Sequence, residues 1–309
     1  MISPSTRIYV AGHKGMVGSA FVRFLEKNGF TNVITAPRAT LDLLDQRAVH
    51  DFLKENKPDL VIVAAARVGG IHANNTQRAD FIYENLMVEA NLIHGAHVAG
   101  IDRLLFLGSS CIYPRDCPQP IREDYLLSGP LEHTNEPYAL AKIAGIKLCE
   151  AYNSQYGRHY FSVMPTNLYG PNDNYDLQTS HVLPALIRKV HEAKQRNDQA
   201  ISIWGTGRPK REFLYVDDLI DACMYLISKD YCGPIVNIGT GQDCSISDLA
   251  ETIMEVVGYQ GDLTYDSSKP DGTPRKWLDV SRLRDLGWQA KTSLREGLAM
   301  TYADFLKQQ

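Results

Sequence analysis

The chain has 309 residues, a formal net charge of -4 and 22% charged residues. This length suffices for one large α/β domain, or for a domain with a smaller appendage, and it can bury a sizeable core. The near-neutral charge excludes a global basic field that would attract nucleic acid, so any anion site must be a local pocket.

The six cysteines show no Cys-x-x-Cys spacing, and no Cys/His cluster has the spacing of a zinc site, so no metal is expected. The N-terminus lacks the apolar core and cleavage pattern of a signal peptide. No run of about 18 uncharged apolar residues predicts a membrane span. We therefore expect a soluble, cytoplasmic protein without a membrane or nucleic-acid partner.

The first half of the chain alternates short apolar runs with segments of helical apolar spacing. Strands are predicted at 8–11, 33–35, 60–64, 104–107 and 161–164, and helices at 16–28, 47–55, 80–99 and 138–156. Continuous apolar strands that alternate with helices are typical of a parallel sheet covered on both faces. The sequence therefore predicts a Rossmann-type, doubly wound α/β fold.

A glycine turn follows the first strand and opens the first helix. Gly12, Gly15 and Gly18 are spaced so that the chain can bend tightly, admit a pyrophosphate close to the backbone, and pack the helix against the sheet. The free amides at the start of such a helix bind phosphate. We predict dinucleotide binding here; a purely structural strand-to-helix turn is the alternative.

The end of the second strand bears on the choice between NAD and NADP. An acidic residue there would hold the ribose 2′-hydroxyl of NAD, whereas this chain has Arg38, with Lys14 in the glycine turn. Two cations suit a 2′-phosphate, so NADPH is the predicted cofactor. The alternative is that both are solvated surface charges.

Beyond residue 170, glycines and prolines punctuate shorter elements. We expect residues 1–170 to form the NADP-binding domain and residues 171–309 to form a smaller, mainly substrate-binding α/β lobe. The apolar run at 235–238 indicates a buried strand that returns to the main sheet, within a returning segment near 213–241.

Tyr138 and Lys142 are four residues apart on a predicted helix, so both lie on one face. From that position the ammonium can favour the ionised phenol, which would then exchange a proton near neutral pH. Ser109 lies about thirty residues upstream. Together these residues predict redox chemistry on a carbonyl or alcohol, although Tyr-x-x-x-Lys also arises by chance in many helices.

The order of these motifs resembles the extended short-chain dehydrogenase/reductase family, which includes nucleotide-sugar epimerases, dehydratases and reductases. More specific segments, between Arg7 and about Phe305, resemble the members that epimerise GDP-4-keto-6-deoxy-D-mannose at C3 and C5 and then reduce it at C4 with NADPH. These segments are Gly-His-Lys-Gly-Met-Val-Gly, Ala-Ala-Arg-Val-Gly-Gly-Ile, Leu-Gly-Ser-Ser-Cys-Ile-Tyr-Pro, Asn-Glu-Pro-Tyr-Ala, Pro-Thr-Asn-Leu-Tyr-Gly-Pro and Lys-Pro-Asp-Gly-Thr-Pro-Arg-Lys.

The resemblance implies which residues form the site. It implies that NADPH is bound by Gly12, His13, Lys14, Gly15, Met16, Val17, Gly18, Arg38, Leu107, Gly108, Ser109, Ser110, Lys142, Pro165, Thr166, Asn167, Leu168 and His181. It assigns catalysis to Ser109, Cys111, Tyr138, Lys142 and His181, and contacts with the GDP-sugar to Lys189, Trp204, Arg211, Asp271 and Lys276. It also implies a homodimer through the helices at 80–99 and 138–156. Lys14 and Lys189 stand where arginine is common, which keeps the charge but loses bidentate geometry.

The expected chemistry centres on one ketone oxygen. The hydrogens beside the carbonyl of a 4-keto sugar are acidified, so one pocket over O4 can stabilise an enolate during epimerisation and an alkoxide during reduction. We expect Ser109 and Tyr138 to form that pocket. Cys111 is the expected base, because related dehydratases carry a glutamate there, and His181 is the expected acid on the opposite face. On residue type alone, both could be structural groups.

Arg188, Lys189, Arg211 and Lys276 could together neutralise a diphosphate, and Trp204 offers a flat face for a base or sugar. Ordinary surface charges and a core tryptophan are the alternatives.

Two other enzymes fit the same scaffold: a 4-epimerase that recycles tightly held NAD, and a 4-reductase without epimerase activity, each acting on another nucleotide sugar. Arg38 and Lys14 disfavour the first, and Cys111 and His181 disfavour the second. An NADP-sensing regulatory or scaffold protein is the non-enzymatic alternative.

Overall fold

A computed structural model describes residues 2–177, 179–269 and 271–308. Pro270, in the Lys-Pro-Asp-Gly segment, lies outside the described residues. The strands are β1 (Ile8–Ala11), β2 (Val33–Ile34), β3 (Leu60–Val63), β4 (Arg103–Leu107), β5 (His159–Pro165), β6 (Asn167–Tyr169), β7 (Ala200–Trp204), β8 (Lys210–Arg211), β9 (Phe213–Tyr215), β10 (Val236–Ile238), β11 (Cys244–Ser245), β12 (Asp262–Asp266) and β13 (Arg275–Lys276). The helices are α1 (Met16–Lys27), α2 (Gln46–Asn56), α3 (Ile71–Thr76), α4 (Arg78–Val98), α5 (Glu136–Tyr156), α6 (Val182–Arg196), α7 (Val216–Ser228), α8 (Ile246–Val257), α9 (Ser281–Asp285) and α10 (Leu294–Lys307).

Six parallel strands form the central sheet, in the order β10-β5-β4-β3-β1-β2. Ile8 of β1 is paired with Val33 of β2 on one side and with Leu60 of β3 on the other. Strand β10 joins the far edge, where Val236 is paired with Val163 of β5. The predicted Rossmann-type α/β fold is confirmed. Because the strand order reverses beside β1, the carboxyl ends of β1 and β3 open a crevice of the kind that binds ligands in such sheets.

The central strands are buried on both faces, which explains their continuous apolar runs. Val10 belongs to one buried cluster together with Phe21 of α1. Val63 belongs to a second cluster with Leu92 of α4 and Ile146 of α5. Alternate residues along each strand therefore enter opposite clusters, as the pleat of a strand requires. This packing fixes the carboxyl ends of the strands, where the candidate site lies.

A third buried cluster lies outside the central sheet. It joins Leu186 of α6, Ile253 of α8 and Leu298 of α10. Helices α8 and α10 both begin with a capping box, in which Ser245 and Ser293 accept hydrogen bonds from backbone amides three residues on. Strand β7 pairs in parallel with β12 beside this cluster, and β11, β8 and β13 form a small separate sheet.

Among the helices in the described part of the chain, none is long and apolar enough to cross a membrane. Within those same residues, no group of three or more His, Cys, Asp or Glu side chains is arranged to hold a metal ion.

Candidate active site

The glycine turn has the geometry that its spacing predicts. Gly12 has a φ of +84°, and a Cβ there would lie 2.7 Å from the backbone of Ala65. A Cβ on Gly18 would lie 2.1 Å from the carbonyl oxygen of Gly12, so α1 approaches the turn too closely for any side chain. Gly15 differs, because its Cβ would meet nothing nearer than 3.5 Å. It precedes α1 without a side-chain cap, so the first amides of the helix are free for an anion.

Because a Cβ has no room at Gly18 but has room at Gly15, substitutions at these two positions should separate the effect on folding from the effect on phosphate binding. Gly18→Ala is expected to lower the free energy of unfolding by about 3 kcal/mol, because its Cβ would overlap backbone that cannot move aside cheaply. Gly15→Ala is the matched control and should change stability by less than about 1 kcal/mol. It should still weaken dinucleotide binding about tenfold or more, because the methyl group takes the space of a phosphate. Urea denaturation and NADPH titration by fluorescence measure the two effects; equal losses of stability would contradict this account.

Two cations near the turn carry no ion pair within the described chain. Arg38 and Lys14 are both exposed. The backbone carbonyl of Lys14 accepts a hydrogen bond of 2.8 Å from the side-chain amide of Asn172, which ties the turn to the loop after β6. Both cationic side chains are therefore free to meet a bound anion.

The segment after β4 positions a hydroxyl and a thiol. Ser109 lies two residues after β4 and caps a short 3-10 helix (Ser110–Ile112), since its Oγ accepts a hydrogen bond of 3.3 Å from the amide of Cys111. The Cys111 side chain is 8% exposed. Burial raises the pKa of the Cys111 thiol above 9.0, while Lys276, a hydrogen bond from Ser109 and Lys142 act in the opposite direction. The sulfur therefore carries its proton at neutral pH.

Helix α5 carries Tyr138 and Lys142, with Pro137 in its first turn. The Lys142 Nζ lies 5.7 Å from the centroid of the Tyr138 ring and 2.9 Å from Oε1 of Glu89. Burial raises the pKa of Tyr138 well above 10.0, and Cys111 and Glu89 raise it further. This direction is opposite to the sequence-based expectation of a phenol tuned towards neutral pH by Lys142, and its main cause is burial, which the Tyr-x-x-x-Lys motif does not reveal.

His181 stands immediately before α6 and is exposed. Desolvation by the surrounding protein lowers the pKa of its imidazole below 6.5, and the Lys276 ammonium lowers it further. The His181 side chain is thus exposed on one side and has protein close to it on the other. Desolvation also lowers the pKa of Lys276, and Cys111 raises it. Lys276 therefore acts on both the thiol and the imidazole, so the three groups lie near one another, and we call the space that they border the candidate cleft.

The remaining predicted substrate residues fall into two groups. Arg211 of β8 and Lys276 of β13 are paired in register, so two cations stand side by side. Trp204 is 67% exposed, which excludes the alternative of a core tryptophan. The ammonium groups of Lys189 and Lys269 lie 5.5 and 5.6 Å from its ring centroid. This exposed ring with two cations has the composition of a surface that stacks and neutralises a nucleotide.

Two predicted residues have partners within the chain. The Asp271 carboxylate accepts hydrogen bonds of 2.8 Å from the amide and the hydroxyl of Thr206, so it shapes the turn after Trp204. Arg188 donates a hydrogen bond of 2.7 Å to the Glu192 carboxylate and one of 3.2 Å to the carbonyl of Tyr175. The Arg188 guanidinium thus has two partners within the chain, and its part in neutralising a diphosphate stays a prediction.

The predicted cofactor segments at 107–110 and 165–168 follow neighbouring strands. The Gly108 amide donates a hydrogen bond of 2.9 Å to the carbonyl of Val163, and this bond joins the chain after β4 to β5. Thr166 and Asn167 donate side-chain hydrogen bonds of 3.2 and 2.8 Å to the backbone carbonyl of Glu212. Both segments are thus fixed at the carboxyl edge of the sheet.

The sequence-based reasoning missed Glu89 and Glu212, which are 1% and 0% exposed. The Glu212 carboxylate accepts hydrogen bonds from the amides of Gly241 and Leu278, 2.8 and 2.9 Å long, and so links the cofactor segment to the chain just after β13, which carries Lys276. For Glu89 the available signal was an acidic residue within an apolar stretch of a helix; Glu212 lies between β8 and β9, directly after two cations, and had no such signal.

Comparison with known proteins agrees with this geometry. Residues 8–239 match the model of the NAD dependent epimerase/dehydratase family. The chain is 55% identical to GDP-L-fucose synthase of Escherichia coli K12, over 98% of this chain and 97% of that protein. It is 56% identical to GDP-L-fucose synthase 1 of Arabidopsis thaliana, over 99% of this chain and 95% of that protein. The solved structure of MlghC, a GDP-mannoheptose C4 reductase from Campylobacter jejuni with NADP bound, is 39% identical with a TM-score of 0.92, covering 99% of this chain and all of that one. The chain belongs to the NAD dependent epimerase/dehydratase family.

Proposed function

We propose that this protein converts GDP-4-keto-6-deoxy-D-mannose to GDP-L-fucose, by epimerisation at C3 and C5 followed by NADPH-dependent reduction at C4. The two relatives described above, both named GDP-L-fucose synthases, match it at 55% and 56% identity over nearly the whole chain. The observation that carries the proposal is a thiol and an imidazole, Cys111 and His181, that share the influence of Lys276 beside Ser109 and Tyr138. Reduction alone requires only Tyr138 with its supporting groups, so the added base and acid favour an epimerase as well.

The chain offers NADPH a fitting site. The space beside Gly15 and the free amides at the start of α1 suit the pyrophosphate, and the unpaired Arg38 and Lys14 suit the 2′-phosphate. When bound, the cofactor supplies the hydride for C4. Residues 107–110 and 165–168, at the ends of β4 and β5, would hold its nicotinamide half, with Lys142 on the ribose.

In the reduction step Tyr138 would act as the acid. Its raised pKa keeps the phenol protonated at neutral pH, which is the form needed to give a proton to O4. The Ser109 hydroxyl, half-buried at the end of β4, would donate a second hydrogen bond to the same oxygen. The protein thus needs no covalent bond to the sugar in this step.

In the epimerisation step Cys111 would remove the proton from C3 or C5, and His181 would return one from the opposite face. Ser109 and Tyr138 would donate hydrogen bonds to the enolate oxygen. The reactive form has Cys111 ionised and His181 protonated, which is the reverse of their resting states. This form is a minority at every pH, because the pKa of the acid lies below that of the base.

The reversed protonation predicts the pH dependence of epimerisation. With rising pH the thiolate fraction grows and the imidazolium fraction falls by the same factor, so the two changes cancel between the two pKa values. Because the pKa of His181 lies below 6.5 and that of Cys111 above 9.0, exchange of solvent deuterium into C3 and C5 should be flat between those pH values. Exchange that instead rises tenfold per unit from pH 7 to 9 would remove His181 as the acid.

The GDP group would be bound by the cationic and aromatic residues of the cleft. Arg211 and Lys276 would neutralise the diphosphate, and Trp204, with Lys189, would stack against the base or sugar. Asp271 would act through the turn that it holds beside Trp204.

We further propose a homodimer formed through α4 and α5. Apolar residues lie on every side of both helices, which is typical of helices buried all round. Their outer faces nevertheless expose Tyr83 (61%) and Leu140 (43%). A cytoplasmic location also stays a prediction, supported by six cysteines that are all free thiols.

A GDP-sugar C4 reductase without epimerase activity is the second candidate, and the likeness to the GDP-mannoheptose C4 reductase favours it. Incubation with NADPH and a panel of 4-keto-6-deoxy nucleotide sugars, with product stereochemistry assigned by NMR, separates the two. The proposal expects inversion at C3 and C5 together with reduction at C4. A product reduced at C4 with C3 and C5 unchanged would support the reductase and overturn the proposal.

A further inference from the structure

The Glu212 carboxylate holds two loops that are far apart in the chain. Glu212 lies between β8 and β9, and its side chain is fully buried. Its Oε1 accepts a hydrogen bond of 2.8 Å from the amide of Gly241, which follows β10. Its Oε2 accepts one of 2.9 Å from the amide of Leu278, which follows β13. Each carboxylate oxygen therefore fixes the backbone of a different loop.

The backbone of the same residue faces the cofactor segment. The Glu212 carbonyl accepts hydrogen bonds of 3.2 and 2.8 Å from the side chains of Thr166 and Asn167. Strand β9, which begins directly after Glu212, pairs with β6, so that Phe213 lies opposite Asn167. The carbonyl thus serves the cofactor side and the carboxylate serves the two loops. A substitution of the side chain leaves the contacts of the carbonyl in place.

The residues beside this bridge are the two cations assigned to the diphosphate. Arg211 directly precedes Glu212, and Lys276 lies two residues before Leu278. Arg211 and Lys276 are paired in register between β8 and β13, which are only two residues long. Strands this short hold their own position weakly. The hydrogen bond from Leu278 to Glu212 therefore anchors the chain that carries Lys276 beside Arg211.

The bonding pattern at Glu212 requires a carboxylate. Both donors are backbone amides, and each one points at a different oxygen. A glutamine would present an NH₂ group to one of these donors, and an apolar side chain would accept from neither. Burial raises the pKa of Glu212, and the amides of Leu278 and Gly241 oppose that rise. A buried carboxylate is costly, so its position between the diphosphate cations and the cofactor segment calls for a role beyond filling space.

We propose that Glu212 is a positioning residue that holds Lys276 where Lys276 and Arg211 together bind the substrate diphosphate. This inference rests on the proposed function, because the diphosphate belongs to the GDP-sugar. Glu212 acts on the diphosphate through the backbone of Leu278. Loss of its carboxylate should therefore weaken GDP binding and leave the binding of the cofactor in place.

The test compares Glu212→Gln with Asp218→Asn. Asp218, on α7, is a matched control: it is 6% exposed, and its Oδ2 accepts hydrogen bonds of 3.0 and 2.8 Å from the amides of Lys291 and Thr292. Both substitutions should lower the Tm. Glu212→Gln should weaken GDP binding about tenfold and change the Kd for NADP⁺ by less than about twofold. Asp218→Asn should leave both Kd values within about twofold of the wild type. Calorimetric titration measures each Kd.

A second arm asks whether Glu212 acts through Lys276. Lys276→Met should itself weaken GDP binding, because it removes one of the two cations. In that background Glu212→Gln should cause no further loss, since the group that Glu212 positions is already gone. In turnover, Glu212→Gln should raise the KM for the GDP-sugar about tenfold and change kcat for reduction by less than about threefold.

The outcomes separate this inference from the proposed function. A wild type that binds no GDP overturns the proposed function and this inference with it. A wild type that binds GDP overturns the inference alone if Glu212→Gln keeps the GDP affinity, loses GDP and NADP⁺ affinity equally, or adds its full effect to Lys276→Met. If Glu212→Gln does not fold, hydrogen exchange of the wild type decides: GDP should slow exchange at the Leu278 and Gly241 amides together, and unchanged exchange at Gly241 overturns the inference.

Discussion

Replacing Cys111 by serine is expected to abolish epimerisation while C4 reduction continues. A serine hydroxyl has nearly the size of the thiol but does not ionise near neutral pH, so the base is lost and the pocket is kept. We expect exchange of solvent deuterium into C3 and C5 to fall by about 10²- to 10⁴-fold. NADPH should still be consumed, and the product should be reduced at C4 without inversion at its neighbours. Proton NMR of the product in deuterated water measures both outcomes.

Cys232→Ser provides the control for this substitution. Cys232 is exposed, and its thiol lies 3.7 Å from the carbonyl of Arg158, away from the cleft. The Cys232→Ser variant should exchange solvent deuterium into C3 and C5 and reduce C4 at the wild-type rates. If Cys111→Ser kept full exchange, residue 111 would be an inert buried thiol and the base would have to be sought elsewhere in the cleft.

Tyr138→Phe is expected to impair both reactions, in contrast to Cys111→Ser. Loss of the phenol removes the acid for O4, which should lower the rate of reduction about 10²- to 10⁴-fold. It also removes one donor to the enolate oxygen, which should lower deuterium exchange about 10²- to 10³-fold. NADPH affinity should change little, since Lys142 keeps its partner Glu89. Single-turnover reduction and deuterium exchange, measured on the same preparation, give the two numbers.

Tyr152→Phe is the control on the same helix. Tyr152 lies in the C-terminal half of α5, and its hydroxyl is 2.5 Å from Nδ1 of His94 on α4. Its loss should leave both rates within about threefold of the wild type. If Tyr138→Phe lowered reduction and left exchange untouched, the two reactions would use separate oxyanion sites, and the shared pocket over O4 would be wrong.

The fold could be predicted from the sequence because the relevant signals are local. The parallel strands are continuous apolar runs, and the predicted strands at 8–11, 60–64 and 104–107 agree with β1, β3 and β4 to within one residue. Pairings between strands that are far apart in the sequence have no such local signal. The pairing of β7 with β12, and of β8 with both β11 and β13, depends on contacts between segments that carry only two to five residues each.

The candidate site was predictable where a motif holds its own geometry. The glycine turn is an example, since Gly12 and Gly18 meet within seven residues. The raised pKa of Tyr138 was not predictable, because it depends on burial, on Cys111 and on Glu89, which lies 49 residues away on another helix. Arg188 likewise forms an ion pair with Glu192, one helical turn on, which its prediction as a ligand did not include. Interactions between charged groups that are brought together by the fold thus cannot be predicted from the spacing of residues along the chain.

The most direct test of a single pocket serving both reactions is one turnover of the wild type in deuterated water with NADPH that carries deuterium at the transferred position. The account predicts one deuterium at C4, taken from the cofactor, and one at each of C3 and C5, taken from solvent, in the same sugar. A product labelled at C4 alone would contradict it.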